Sequence, residues 1–144
     1  MRRPKIGVFL HLVWATWDRE PSIDPEWEKR LYAAIAAKCK EKNCPAYAVN
    51  GVADHIHVLL RLPATLSLAE AAQHLKGATS HLINAEFAPR KPFRWQASYG
   101  AHAVETQNID RVRAYILNQK KHHADNKVIP EWEQTQEHPE PEQP

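Results

Sequence analysis

A chain of 144 residues with 43% apolar content has the length for one domain with a buried core. No apolar run approaches the roughly 20 residues that a membrane-spanning helix needs. The amino terminus, Met-Arg-Arg-Pro-Lys, lacks a signal-peptide pattern, so a cytoplasmic location is expected, with no membrane partner. The net charge of +2 hides an asymmetry. Residues 131–144 carry five acids and no Lys or Arg, leaving 19 basic against 12 acidic residues in 1–130, a body charge of +7. A basic body suits a polyanionic partner. Cys39 and Cys44 have no second pair for a structural zinc site and read as free thiols.

In chain order, residues 6–16 are rich in β-formers and predict a first strand. Asp24-Pro25 combines a capping acid with proline at a first helical position. Trp27, Leu31, Ala34 and Ile35 then keep helical spacing to about Lys42. Residues 44–52 and 55–62 read as two strands joined by a short turn over 51–54, an antiparallel hairpin. Ser67-Leu-Ala-Glu70 is a capping box opening a helix with Leu68, Ala71, Ala72, Leu75, Ala78, Leu82 and Ile83 on one side. Residues 92–105 predict one or two short β segments. A last helix runs from about Asn108 to about Ala124. The order β-α-β-β-α-β-α predicts an α+β fold: a ferredoxin-like split βαβ with an antiparallel sheet, helices on one face and an added carboxy-terminal helix. Residues 1–127 form the expected domain. Residues 128–144, acidic and rich in Pro, Glu and Gln, are expected to be disordered.

Two strings carry the chemistry. The first is His55-Ile56-His57 in the run Asp54-His-Ile-His-Val-Leu-Leu-Arg-Leu62. On a strand, residues i and i+2 share a face, so both imidazoles project together while Ile56, Val58, Leu60 and Leu62 can bury on the other side. Paired imidazoles can start a divalent-metal site, or can be hydrogen-bonded residues beside a sheet. Two ligands do not complete a site, so a third must come from elsewhere. The second string is Tyr115-Ile-Leu-Asn-Gln119, in which a phenol and an amide lie one helical turn apart. Turned toward the histidines, Tyr115 is a candidate nucleophile and Gln119 can offer its carbonyl oxygen as the third ligand. Turned away, they are a half-buried tyrosine beside a solvated polar face. A mixed N/O site suits Mg²⁺ or Mn²⁺, and two imidazoles also tolerate zinc.

Other polar residues fit nucleic-acid contact or an ordinary solvated surface. Lys76, Ser80, His81 and Asn84 decorate the capped helix. Arg90, Lys91 and Arg94 interleave with Phe93 and Trp95, a pattern of backbone contact and base stacking for single strands. Arg111 shares a side of the last helix with Tyr115. Lys120, Lys121, His122 and His123 offer phosphate contacts or an exposed helix end.

Together these residues resemble the single-tyrosine HUH transposases of insertion sequences, including the REP-associated tyrosine transposases. HUH denotes His-hydrophobic-His, here His55-Ile56-His57. The likeness extends through His11-Leu-Val-Trp14, Leu75-Lys-Gly77, Phe93-Arg-Trp-Gln96, Tyr99-Gly-Ala101, Tyr115-Ile-Leu-Asn-Gln119 and His122-His123, covering nearly all of 6–125. The resemblance implies a metal held by His55, His57 and Gln119, with Tyr115 as the nucleophile. Asp54 and His11 are implied to act behind the ligands, orienting a histidine or the strand. Also implied are single-stranded or hairpin DNA as substrate, a 5′-phosphotyrosine intermediate, Mg²⁺ or Mn²⁺, a homodimer, and use at the nucleoid. Expected DNA contacts are Lys76, Ser80, Arg90, Lys91, Arg94, Arg111, Lys120 and His122. Two other classes compete: a hairpin-binding module without turnover, and a metal-dependent hydrolase in which water attacks.

Overall fold

The computed structural model describes residues 7–136. Four strands form one antiparallel sheet: β1 (Phe9–Ala15), β2 (Ala46–Val52), β3 (His55–Arg61) and β4 (Gly100–Val104), in the order β2-β3-β1-β4. Between them run α1 (Glu28–Glu41) and α2 (Leu68–Phe87). After β4 come α3 (Ile109–Leu117), α4 (Gln119–Ala124) and the short α5 (Pro130–Glu133). This is the α+β split βαβ arrangement expected, with the central positions taken by β1 and β3.

The pleat divides the sheet into two different faces. Leu10, Leu12 and Trp14 of β1 and Ile56, Val58 and Leu60 of β3 pack with Leu31 and Ile35 of α1 and Leu75 and Ile83 of α2. Edge-to-face aromatic contacts extend this core, with ring centroids 5.8 Å apart for Trp14–Trp95, 4.7 Å for Phe93–Trp95 and 5.2 Å for Trp27–Phe93. On the opposite face Leu59 meets Val112, Tyr115 and Ile116 of α3. The first two helices thus cover one side and the added carboxy-terminal helices the other.

Local chemistry sets the boundaries. Ser67 Oγ accepts from Glu70 N at 3.1 Å, as the capping box requires. The Asp24-Pro25 signal gives a turn first: Asp24 Oδ1 accepts from Glu26 N at 2.8 Å, and the regular helix begins only at Glu28. The segment 92–105 yields a single strand. Its first half is instead pinned to α2, where Asn84 both accepts from Phe93 N (2.8 Å) and donates to Phe93 O (3.0 Å), and Trp95 Nε1 donates to Thr79 Oγ1 (3.0 Å). Asn84 therefore serves the fold and not a solvated face.

Two further expectations differ from the structure. The last helix is divided at Asn118, whose Nδ2 donates to Ala114 O at 2.8 Å, a side-chain competition for a helix carbonyl. The tail also departs from disorder over 128–136. Pro130 starts α5, Trp132 packs against the second core cluster, and Thr135 is buried. Composition missed this because one tryptophan and one isoleucine suffice to dock so short a segment. Residues 137–144 lie outside those described.

Gly51 allows β2 and β3 to approach. A Cβ there would sit 2.2 Å from His55 O and 2.8 Å from Ile56 Cα. Gly51→Ala is therefore expected to cost about 1–3 kcal/mol in urea unfolding, with the backbone displaced beside the histidines. Cys39 and Cys44 are free and buried, and burial pushes both thiols up. Both are expected to resist a thiol reagent at pH 8 until urea unfolds the protein.

Candidate active site

The site lies on the sheet face opposite α1 and α2, between β1, β3, the α3–α4 pair and α5. Strand alternation puts His55, His57 and His11 on this face, and all three are essentially fully buried. Pairing of β1 with β3 sets Val13 opposite His57 and His11 opposite Leu59, making His11 the diagonal neighbour of His57. His11 Nε2 lies 2.8 Å from His57 Nδ1. Asp54 Oδ1 lies 2.7 Å from His55 Nδ1. Each of the paired imidazoles is thus held by its Nδ1 and presents its Nε2 to the interior of the site.

Those two Nε2 atoms converge on one point. Glu133 Oε2, from α5, is 2.9 Å from His55 Nε2 and 2.9 Å from His57 Nε2. The His57 contact is a hydrogen bond, whereas His55 Nε2 is buried without one. Glu133 Oε1 accepts a short hydrogen bond from the Tyr115 hydroxyl, which also accepts from Ile129 N at 3.0 Å. One carboxylate therefore joins both histidines to the tyrosine. His55, His57 and Glu133 form a cluster that can hold a metal ion, with ligand atoms within 4.8 Å of one another.

Gln119 is fully buried beside this cluster. Its Oε1 lies 3.0 Å from His123 Nε2, and its Nε2 is buried without a partner. Rotating that amide by half a turn would give the donor to His123 and free the oxygen. The break at Asn118 leaves Tyr115 and Gln119 on the same inward side. His122 stacks on the Tyr115 ring at 4.8 Å, and Trp132 meets the same ring edge-on at 4.9 Å.

The electrostatics follow from burial and this one carboxylate. Burial acts to raise the Glu133 carboxyl, but the nearby His55 and His57 imidazoles and the Tyr115 hydroxyl outweigh it and hold it below the ordinary range. Burial pushes Tyr115 up to about 12, reinforced by the bond to Glu133. Burial lowers His57 despite the carboxylate, and burial with His57 nearby lowers His11 to about 3. For His55 the burial effect is overcome by Asp54 and Glu133, and the pKa is raised. His55 holds Asp54 low in return. A divalent cation at the convergence point would replace the proton that the carboxylates favour on His55.

The expected DNA contacts scatter. Lys76 Nζ donates to the carbonyls of Gln96, Ala97 and Ser98, tying α2 to that loop. Ser80 Oγ donates to Gly77 O in its own helix at 3.3 Å. Lys120 pairs with Glu28 and donates to Asn50 Oδ1 (3.0 Å), bracing α4 on β2 and α1. Lys91 reaches Glu20 at 2.6 Å, and Arg111 lies 5.4 Å over the Trp132 ring. Arg90 is exposed, and Arg94 covers the half-exposed Trp17 at 4.2 Å. Trp17, Trp132 and Glu133 were not singled out from the sequence, and His123 was read there as a phosphate contact or an exposed helix end, not as a neighbour of Gln119. Glu133 sits in a tail whose composition signals no structure. His123 lies one helical turn past Gln119, which is the local signal for their contact.

Residues 6–119 match the family described as "Transposase IS200 like". The transposases for insertion sequence element IS200 of Salmonella typhimurium and Salmonella typhi are each 27% identical over 114 residues, 76% of this chain and 74% of theirs. A transposase candidate from Deinococcus radiodurans R1 superposes with a TM-score of 0.66 at 22% identity, covering 83% of this chain and 96% of that one. A REP-associated tyrosine transposase bound to a REP hairpin gives 0.62 at 17% identity, covering 89% and 74%. With the fold shared and the family match spanning the sheet, the paired histidines, Tyr115 and Gln119, the chain belongs to the IS200-like transposase family.

Proposed function

We propose that this transposase cleaves single-stranded or hairpin DNA with Tyr115 and rejoins it through a 5′-phosphotyrosine intermediate. The observation that carries the reading is the meeting of the Tyr115 hydroxyl and the two histidine Nε2 atoms on one anionic group. A DNA phosphate at that place would face the nucleophile and the metal-binding nitrogens together. All of these groups come from one chain, so the reading needs no residue from a partner.

The Tyr115 oxygen attacks phosphorus, the bond to the 3′ oxygen breaks, and the phenolic proton is lost while the departing oxygen gains one. The phosphodiester energy stays in the tyrosine ester, so a 3′-hydroxyl can reverse the reaction without ATP. His55 and His57 fit a divalent ion, Mg²⁺ or Mn²⁺ in this reading, with Gln119 as third ligand once its amide turns; the orphaned His55 Nε2 and Gln119 Nε2 mark that polar but unsatisfied corner. Such an ion, when bound, withdraws charge from the phosphate. Asp54 and His11 orient the two imidazoles by their Nδ1 atoms. His122 steadies the phenol ring by stacking.

Arg90, Lys91 and Arg94 remain the proposed backbone contacts, with Trp17 beside Arg94 as a face for an unpaired base. Lys76, Ser80 and Lys120 contribute less, because they are spent on the fold. Arg111 flanks the site through Trp132. The outer edge of β4 has no strand partner among the described residues, which supports a homodimer paired there. No described helix is long and apolar enough to cross a membrane.

The test is an adduct assay with labelled hairpins, bearing single-stranded flanks, taken from the DNA beside the gene. Wild type with Mn²⁺ is expected to give a protein–DNA band resistant to denaturation. Tyr115→Phe is expected to bind the hairpin and give no band. Strand cleavage that survives Tyr115→Phe would mean that water attacks, and binding without cleavage by wild type would leave a binding module. Chelation of the metal, or His57→Ala, is expected to remove the band. His11→Phe is expected to slow adduct formation by about 10–100-fold, the usual effect of losing a group that orients a ligand.

A further inference from the structure

The chain leaves β1 through a turn at residues 17–19 in which two successive non-glycine residues are left-handed, Asp18 and Arg19, each with φ 53°. Side chains crowd the backbone in that region, so such a turn costs stability and persists only where its surroundings over-determine it. They do so here. The buried Thr16 hydroxyl is within hydrogen-bond reach of Glu20 O (2.6 Å) and Asp54 O (3.2 Å). Trp17 N donates to Arg94 O at 3.0 Å, and Asp18 N donates to Gln96 Oε1 at 3.2 Å.

The turn delivers Arg19 to the Asp54 side of the candidate site, and the guanidinium is held only loosely there. Nη1 stands 4.0 Å from Asp54 Oδ2, and Nη2 makes long bonds of 3.4 Å to Glu133 O and 3.5 Å to Thr135 Oγ1. A part-exposed ion pair at that distance contributes little to stability. A strained backbone therefore holds a permanently charged group with five donors beside the paired histidines, and its contacts within the described residues use little of that capacity. The other oxygen of Asp54 lies 2.7 Å from His55 Nδ1. A DNA backbone approaching His55 thus meets a carboxylate, and Arg19 is placed to offset that repulsion. At the opposite end of the turn stands the half-exposed Trp17 with Arg94 over its ring.

We propose that Arg19 binds a DNA phosphate within two nucleotides of the scissile bond, anchoring the single strand between Trp17 and the paired histidines. The proposal rests on the strand-transfer reading above and adds a contact to it. A guanidinium takes two oxygens of one phosphate in a fork, which an exposed carboxylate 4.0 Å away does not prevent.

Binding of a labelled hairpin with single-stranded flanks, measured by anisotropy in chelator-treated buffer over a range of salt, tests this in the full chain. Arg19→Gln is expected to weaken binding about tenfold at low salt. It is also expected to flatten the slope of log affinity against log salt by about 0.7, the value of one phosphate on a single strand. Arg19→Lys meets the same backbone demand and keeps the charge, so it is expected to restore the slope. A neutral methylphosphonate at one position within two nucleotides of the cleavage point is expected to weaken wild type and leave Arg19→Gln unchanged. A wild-type slope for Arg19→Gln would overturn the proposal, as would a difference that no such methylphosphonate removes. Weaker Mn²⁺ binding by Arg19→Gln with DNA binding intact would also overturn it, and would make Arg19 a positioning residue acting through Asp54. If wild type binds the hairpin and never forms an adduct, the strand-transfer reading fails, while the salt slope and the methylphosphonate series still decide the Arg19 contact.

Discussion

The two-residue repeat of β3 is the constraint on which the molecule depends. Ile56, Val58 and Leu60 must be removed from water, and α1 and α2 do this on one face of the sheet. The pleat then forces His55 and His57 onto the other face. That face cannot be closed by another apolar layer without stranding two imidazoles. It is closed instead by α3 and α4, which bring Leu59 its apolar partners and the histidines their polar ones. Core and site are opposite consequences of one strand.

The polar face solves a problem that the apolar face does not have. Three histidines, a phenol, an amide and a carboxylate are brought together in a largely buried space. Each buried polar group needs a partner or costs stability. His11 and Asp54 settle the outer nitrogens of the pair. Glu133 settles most of the inner demand by itself, and its charge is tolerated because His57 Nε2 and the Tyr115 hydroxyl donate to it with His55 close by. The unpartnered atoms that remain in the site, His11 Nδ1, His55 Nε2 and Gln119 Nε2, line the corner best suited to a cation or to a turned amide.

Electrostatics at long range and at contact must be kept apart. The body charge of +7 suits a polyanionic partner, but it does not say which cations are free. Lys76 and Lys120 are anchored to backbone and acid within the fold, whereas Arg90 and Arg94 stay at the surface beside Trp17. A lysine on a helix looks the same in sequence whether it meets phosphate or, like Lys76, a carbonyl 21 residues further along the chain.

Composition and periodicity made much of the architecture legible. The alternation of 55–62, the capping box at Ser67 and the apolar stripe of 109–116 depend on neighbours at most a few residues apart, and such signals survive in a linear string. They located both histidines, Tyr115 and Gln119, since i,i+2 and i,i+4 relations are local. The break at Asn118, the clamp of Asn84 on Phe93 and the place of Glu133 depend on groups brought together from distant parts of the chain. Glu133 lies 76 residues from His57 in sequence and 2.9 Å from it in space. The sequence by itself determined the sheet, its two faces and the family. Only the tertiary structure decided that an acid from an apparently structureless tail sits on the nucleophile, because that contact arises from docking Ile129 and Trp132 and not from any local propensity.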